Sequence, residues 1–172
     1  MHMLDLFKYC PHCGSNQFQP NHHNSKKCHD CGFEFFKNAP AAVACIILDD
    51  NGRILALRRA KDPYINTLDT PGGFVDIGET AEQAAIRELK EETNIDIEVT
   101  KLLYTIPNTY VYKGYDATPL DLFFECKIKD MSNIKLQKSE VSEILFLEKN
   151  EIDPTEFGLP SIQKALTRYL NK

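Results

Sequence analysis

A double-glycine turn followed by a helix with three glutamates on one side constrains this chain more than any other feature. The stretch Thr70-Pro71-Gly72-Gly73 is expected to break regular structure. A helix is predicted from Thr80, its N-cap, to about Thr93, with Gln83 completing a capping box. Three glutamates then follow at i, i+3 and i+4, within an arc of about 100 degrees: Glu88, Glu91 and Glu92. Such a cluster is typical either of a solvated face or of a cation site.

The residues from Gly73 to Ile95 resemble the Nudix box. That motif reads glycine, five residues, glutamate, seven residues, Arg-Glu, an aliphatic residue, any residue, two glutamates, any residue, glycine and an aliphatic residue. The matching positions here are Gly73, Glu79, Arg87, Glu88, Leu89, Glu91, Glu92, Asn94 and Ile95. Asn94 replaces the family's glycine, and asparagine is the next residue to tolerate a left-handed conformation after a helix. The resemblance extends from about Ala41 to Tyr169.

This resemblance implies a hydrolase whose helix carboxylates hold Mg²⁺ or Mn²⁺ against a diphosphate. By motif position the expected metal ligands are Glu88 and Glu92, then Glu91, with the Gly73 carbonyl as an additional ligand. Glu88 is also a candidate general base. Glu79 and Arg87 are expected to orient the turn and the helix.

A later loop often supplies one more carboxylate in this family. Glu140 is favoured by analogy with the NADH pyrophosphatase branch, with Glu143 as the alternative and a plain surface charge as the competing interpretation. Residues that could contact the base or phosphates, or could instead be structural, are Phe74, Arg58, Arg59, Tyr110 and Tyr112.

Four of the six cysteines form two matching pairs near the N-terminus. Cys10-Pro11-His12-Cys13-Gly14 and Cys28-His29-Asp30-Cys31-Gly32 each present two sulfurs from a tight turn. Four thiolates are the tetrahedral set of a structural zinc ion, which leaves no open position for catalysis. The sequence therefore predicts a zinc site formed by Cys10, Cys13, Cys28 and Cys31. Cys45 and Cys126 stand alone in apolar runs and are predicted to be small buried hydrophobes.

The order of elements predicts an α+β fold, a Nudix-type α/β/α sandwich with a mixed sheet, preceded by a zinc ribbon. The ribbon is assigned to residues 1–38 and the Nudix domain to residues 39–172. Strand-like runs are Ala41–Leu48 and Arg53–Arg59, joined by an Asn-Gly hairpin turn, and then Ile95–Ile106, Leu120–Ile128 and Ile144–Leu147. Pro160 can open a final amphipathic helix.

Composition limits the partners that this chain can take. Its formal net charge is −5, and proteins that bind nucleic-acid backbones usually present a basic face, so we do not expect nucleic-acid binding. An acidic protein can still bind a polyphosphate if cations bridge the two. No apolar run is long enough to cross a membrane, and we expect a cytoplasmic protein. The family resemblance suggests a homodimer.

The resemblance implies cleavage of the diphosphate linkage of a nucleoside diphosphate derivative. A zinc ribbon before a Nudix domain is similar to the NADH pyrophosphatase architecture, but the signature of that branch is replaced by Thr105-Ile106-Pro107-Asn108-Thr109-Tyr110. NADH or NAD, ADP-ribose and related nucleotides therefore stay open as substrates. The alternative is a catalytically silent module that senses nucleotides or binds nucleic acid.

Overall fold

The computed structural model describes residues 3–171. Within them the chain forms twelve strands and two α-helices, which follow in chain order. They are β1 (Phe18–His22), β2 (Ser25–Cys28), β3 (Glu34–Phe36), β4 (Ala41–Leu48), β5 (Ile54–Arg59), β6 (Leu68–Asp69), β7 (Gly72–Phe74), α1 (Ala81–Thr93), β8 (Asp96–Pro107), β9 (Tyr110–Tyr112), β10 (Tyr115–Ala117), β11 (Leu120–Asp130), β12 (Val141–Leu147) and α2 (Pro160–Leu170). Short 3-10 turns span Met3–Leu6 and Pro154–Glu156.

The chain divides into two compact units. The first contains the chain up to Ala39 together with Tyr110–Thr118, and the second contains Pro40–Thr109 and the chain from Pro119 onward. In the first unit, β1, β2 and β3 form an antiparallel sheet, and β9 and β10 form a separate hairpin. The sequence reasoning did not find this hairpin, which carries Tyr110 and Tyr112 on β9.

The second unit is built on a seven-stranded mixed sheet. Its main path runs β12-β5-β4-β11-β8, with β6 paired to β5 and β7 paired to β4. Strands β4 and β11 are parallel, whereas the other pairs are antiparallel. One buried cluster joins this sheet to α1 and another joins it to α2. The predicted α+β sandwich with a mixed sheet is confirmed.

The sequence of β4 is apolar throughout because both faces of the strand are covered. Side chains alternate between faces along a strand, so Cys45 and Ile47 pack in the cluster under α1, while Ala44 and Ile46 pack in the cluster under α2. A strand covered on both faces reads as a continuous apolar run. Cys45 and Cys126 are completely buried, which confirms the prediction made for them.

The starts of both helices agree with the sequence prediction, but the prediction for the glycine turn does not. Helix α1 begins after Thr80 with the predicted capping box, and Pro160 opens α2. The expectation that residues 70–73 break all regular structure was wrong, because Gly72 and Gly73 pair with β4. A Cβ on Gly72 would lie 2.1 Å from the Val43 carbonyl oxygen, so glycine permits this close pairing.

Among the described residues, no helix is both long and apolar enough to span a membrane.

Candidate active site

Helix α1 carries its glutamates where the helix meets the glycine turn. It packs against β4, β7 and β8 and buries Ala84, Ala85 and Leu89. The carboxylate of Glu88 lies directly over Gly73 of β7: a Cβ on Gly73 would be 2.3 Å from the carboxyl carbon and from Oε1. Glycine at position 73 therefore leaves the space that the Glu88 carboxylate occupies.

Glu92 is a buried acid: the Gly72 backbone N–H bonds to its carboxylate, but one carboxylate oxygen has no such partner among the described residues. The residue is only 9% exposed, and among the described residues its Oε2 is buried without a hydrogen-bond partner. Burial, followed by the nearby carboxylates of Asp69, Glu88 and Glu140, raises the pKa of Glu92 well above its ordinary value. Burying an ionised carboxylate is costly, and a cation beside Glu92 would lower that cost.

The pKa values of two neighbouring acids, Glu88 and Asp69, are raised as well. Burial raises the pKa of Glu88, and Glu91 and Glu140 add to the effect while Arg87 opposes it. Burial likewise raises the pKa of Asp69, which bonds to Arg59. Asp69 is a member of this acidic cluster that sequence reasoning missed. Its sequence signal was an acid just before the glycine turn, at the end of a short buried strand.

Arg87 ties the helix to the turn that precedes it. Its guanidinium donates two bonds to the Glu79 carboxylate, at 2.5 and 3.1 Å, and one to the Phe74 carbonyl oxygen at 3.0 Å. It also donates to Glu88 Oε1 at 2.9 Å. Glu79 in turn accepts the Asp76 backbone N–H at 2.7 Å, and the Arg87 bonds hold the pKa of Glu79 below its ordinary value. These two residues thus connect helix and turn.

The structure distinguishes the two acids that were predicted for the later loop, since Glu140 ends that loop and Glu143 lies on β12. Glu143 is half exposed and its carboxylate accepts a bond from Arg58 at 2.8 Å. Glu140 contacts Lys61, yet it is close enough to Glu88 and Glu92 to raise the pKa of both. Glu140 therefore belongs to the acidic cluster, whereas Glu143 is engaged by an arginine.

The predicted substrate contacts lie on several elements of the chain. Arg58 bonds to Glu143 and to the Asn66 carbonyl oxygen. The Arg59 guanidinium donates to the Pro63 carbonyl oxygen and forms an ion pair with Asp69. Both of these partners lie within the protein. Phe74 is 47% exposed on β7. Tyr110 and Tyr112 lie on β9 in the first unit.

The chemistry of these carboxylates suits a hard divalent cation, although among the described residues only the four cysteines have ligand atoms that all lie within 4.8 Å of one another. Mg²⁺ and Mn²⁺ prefer oxygen ligands, and carboxylates are their usual protein donors. Glu88, Glu92 and Glu140 supply carboxylates, and Glu92 Oε2 is the buried oxygen that has no hydrogen bond in the described residues. Glu91 is 55% exposed and makes only a 3.4 Å contact with Arg87, so its carboxylate is largely free at the edge of the cluster.

The four N-terminal cysteines gather as the sequence predicted. Their sulfurs all lie within 4.8 Å of one another, with Cys10–Cys31 and Cys13–Cys28 contacts of 3.7 Å. Sulfurs at the corners of a tetrahedron around zinc, with bonds of about 2.3 Å, would be about 3.8 Å apart. The two turns also repeat one geometry, since Gly14 and Gly32 both have φ of 75°. The donor set and spacing fit zinc.

Known proteins that are similar to this chain are Nudix proteins or hydrolases of nucleotide compounds. The NUDIX domain family model matches residues 38–169. An ADP-ribose pyrophosphatase of Methanocaldococcus jannaschii is 31% identical over 137 residues, which cover 77% of this chain and 76% of that protein. The NAD-capped RNA hydrolase NudC of Vibrio cholerae is 33% identical over 104 residues, which cover 60% of this chain but 37% of NudC.

A solved structure extends the match to nearly the whole chain. The NUDIX hydrolase from Nitrosomonas europaea superposes with a TM-score of 0.77 at 25% identity, covering 96% of this chain and 91% of that one. The family model and the archaeal relative each cover most of the sequence. The chain therefore belongs to the Nudix family of pyrophosphohydrolases.

Proposed function

We propose that this protein uses Mg²⁺ or Mn²⁺ to hydrolyse the diphosphate linkage of a nucleoside diphosphate derivative, with ADP-ribose as the first candidate. The observation that carries the proposal is Glu92 Oε2, a buried oxygen without a hydrogen bond among the described residues, surrounded by other carboxylates. A cation would offset the charge of such a cluster, and bridging cations let an acidic protein bind an anionic diphosphate.

In this proposal Glu88, Glu92 and Glu140 hold the cation, and the Gly73 carbonyl adds a further oxygen. Bound Mg²⁺ or Mn²⁺ would neutralise phosphate charge and make a water nucleophilic near neutral pH. Glu88 is our candidate to accept the proton of that water, and Glu91 is the alternative because its carboxylate is more exposed. Arg87 and Glu79 keep the turn fixed to the helix, so that the donors converge.

ADP-ribose is the first candidate because the relative of matching length is an ADP-ribose pyrophosphatase. NADH and NAD are next, since the NudC relatives act on NAD-capped RNA but align over little more than a third of their length. Phe74 is the side chain we propose to stack on the base, because it is half exposed and follows Gly73 directly on β7. Arg58 and Arg59 do not contact the substrate in this proposal. They form ion pairs with Glu143 and Asp69.

We further propose that residues 1–38 form a zinc ribbon whose metal is structural. Cys10, Cys13, Cys28 and Cys31 together supply four ligands, which closes a tetrahedral site. Residues 39–172 then form the catalytic domain.

A substrate panel tests the function. Native protein and Glu92→Gln are incubated with ADP-ribose, NADH, NAD, diadenosine polyphosphates and nucleoside triphosphates, with Mg²⁺, Mn²⁺ or EDTA, and products are separated by chromatography. We expect AMP from ADP-ribose only with metal, and a loss of at least about a hundredfold in Glu92→Gln. Folded, metal-binding protein that turns over none of these compounds would favour the silent nucleotide-sensing module.

A matched pair of variants tests the ligand set. Glu140→Gln should raise the metal concentration needed for half-maximal activity by about tenfold or more, because it removes a proposed ligand. Glu143→Gln removes the same charge three residues away but breaks only the exposed pair with Arg58, and it should behave like native protein. Equal effects in the two variants would contradict the assignment of Glu140.

A further inference from the structure

Asn94 is the one residue of the box that departs from the family motif, and its side chain makes a contact that glycine could not make. It ends α1 with φ of 59° and ψ of 21°, the left-handed conformation, and its backbone N–H caps the Lys90 carbonyl oxygen. Its side-chain Nδ2 donates to the carbonyl oxygen of Asn133 at 2.6 Å. Asn133 lies in the loop of residues 131–140 between β11 and β12, which we call the 131–140 loop.

The 131–140 loop follows the carboxyl end of α1 through further hydrogen bonds. The backbone N–H of Lys135 donates to the Thr93 carbonyl oxygen at 2.9 Å, and that of Gln137 donates to the Glu92 carbonyl oxygen at 2.9 Å. Leu136, between them, packs against the buried cluster under α1. The last carbonyls of a helix need partners from outside it, and here the loop supplies them. The loop is therefore built onto the end of the catalytic helix.

The same loop delivers Glu140. The Glu140 backbone N–H donates to the Gln137 carbonyl oxygen at 2.8 Å, and its own carbonyl oxygen accepts the Ala60 N–H at 2.7 Å. Asn133, Lys135 and Gln137 thus form a row of bonds to the end of α1 that leads along the loop to Glu140. Gln137 accepts the Glu140 N–H and itself donates to the Glu92 carbonyl oxygen, so the position of Glu140 relative to α1 decides whether Glu140, Glu88 and Glu92 can contact one cation.

We propose that Asn94 is a positioning residue: its side-chain amide clamps the 131–140 loop to the end of α1 and so holds Glu140 in register with Glu88 and Glu92. This inference rests on the proposed function, because it takes Glu140 to be a metal ligand. Asparagine in place of glycine keeps the left-handed helix end and adds a tether at the start of the loop. The departure from the motif is thereby a device for assembling the metal site.

Asn94→Gly is a clean test because glycine accepts the left-handed conformation without a Cβ. The variant keeps the backbone cap and removes only the amide tether. Mn²⁺ binding is measured by titration followed by electron paramagnetic resonance of the free ion, without substrate, and the thermal unfolding midpoint is recorded in EDTA. We expect Asn94→Gly to weaken Mn²⁺ binding by about tenfold, as is usual for residues that support a metal ligand, with little change in the unfolding midpoint.

Two controls make the result specific. Asn51→Gly exchanges the same residue types in the exposed turn between β4 and β5, and it should bind Mn²⁺ like native protein. In the Glu140→Gln background, Asn94→Gly should weaken binding no further, because a residue that acts through Glu140 has nothing left to position.

Each of the remaining outcomes would overturn either this inference or the proposed function. Native Mn²⁺ affinity in Asn94→Gly, or an equal loss with and without Glu140, would overturn the inference while leaving the proposed function standing. Native affinity in Glu140→Gln would overturn the inference together with the role proposed for Glu140, and the absence of Mn²⁺ binding in native protein would overturn the proposed function itself.

Discussion

The two adjacent glycines of β7 make opposite predictions about alanine substitution. At Gly73 an added Cβ would lie 2.3 Å from the carboxyl carbon and Oε1 of Glu88 and 2.6 Å from Oε2. Ordinary contacts begin near 3.4 Å, so the carboxylate must move by about 1 Å. The group that moves is the end of a flexible side chain, which can turn aside without disturbing the backbone.

We therefore expect Gly73→Ala to keep its stability and lose its activity. The free energy of unfolding should change by less than about 1 kcal/mol, since alanine also reduces the entropy of the unfolded chain. A displacement of about 1 Å in a reacting group lowers rates by about a hundredfold. Turnover with Mg²⁺ and the thermal unfolding midpoint, measured on the same preparation, give the two values.

Gly72→Ala is the matched comparison. Its Cβ would be 2.1 Å from the Val43 carbonyl oxygen and 2.9 Å from the Val43 carbonyl carbon, and backbone atoms of a central strand cannot turn aside. Overpacking of this kind destabilises proteins by about 1–3 kcal/mol. The reasoning is refuted if Gly73→Ala retains native activity, or if the two alanines lower stability equally.

Three further predictions follow from the same geometry. Glu92→Gln should raise the unfolding midpoint in EDTA by a few degrees, as about 1 kcal/mol of carboxylate repulsion is relieved, and should abolish stabilisation by Mg²⁺; a lower midpoint would contradict this. Elemental analysis should find one zinc per chain in native protein and in Cys126→Ser, but none in Cys28→Ser, and unchanged zinc in Cys28→Ser would refute the site. Arg87→Lys loses the two-pronged bond to Glu79 and should lower kcat by about tenfold or more, measured at saturating metal; native kcat would refute its orienting role.

Sequence reasoning recovered the features that are encoded locally. The spacing of the box glutamates, the capping box at Thr80 and Gln83, and the paired cysteines each act within a few residues, so α1 and the cysteine cluster were found with nearly the right bounds. The apolar run of β4 likewise indicated a central strand. These signals were sufficient for the fold class and for the family.

Features that depend on distant contacts were not recoverable. Asp69 joins the acidic cluster because β6 pairs with β5, a contact that its position just before the glycine turn does not predict by itself. Gly72 and Gly73 form a strand only because β4 offers its edge. Family analogy favoured Glu140 over Glu143, but the pairing of Glu143 with Arg58, 85 residues away, could not be read from the residues around either acid.

The central claim is that Glu88, Glu92 and Glu140 hold a divalent cation against a diphosphate. The most direct measurement is anomalous diffraction from crystals grown with Mn²⁺ and a non-hydrolysable α,β-methylene analogue of ADP-ribose. We expect a manganese peak at about 2.0–2.3 Å from oxygens of these carboxylates and from phosphonate oxygens of the analogue. Analogue bound with no manganese at the three glutamates, or manganese confined to another part of the chain, would contradict the account.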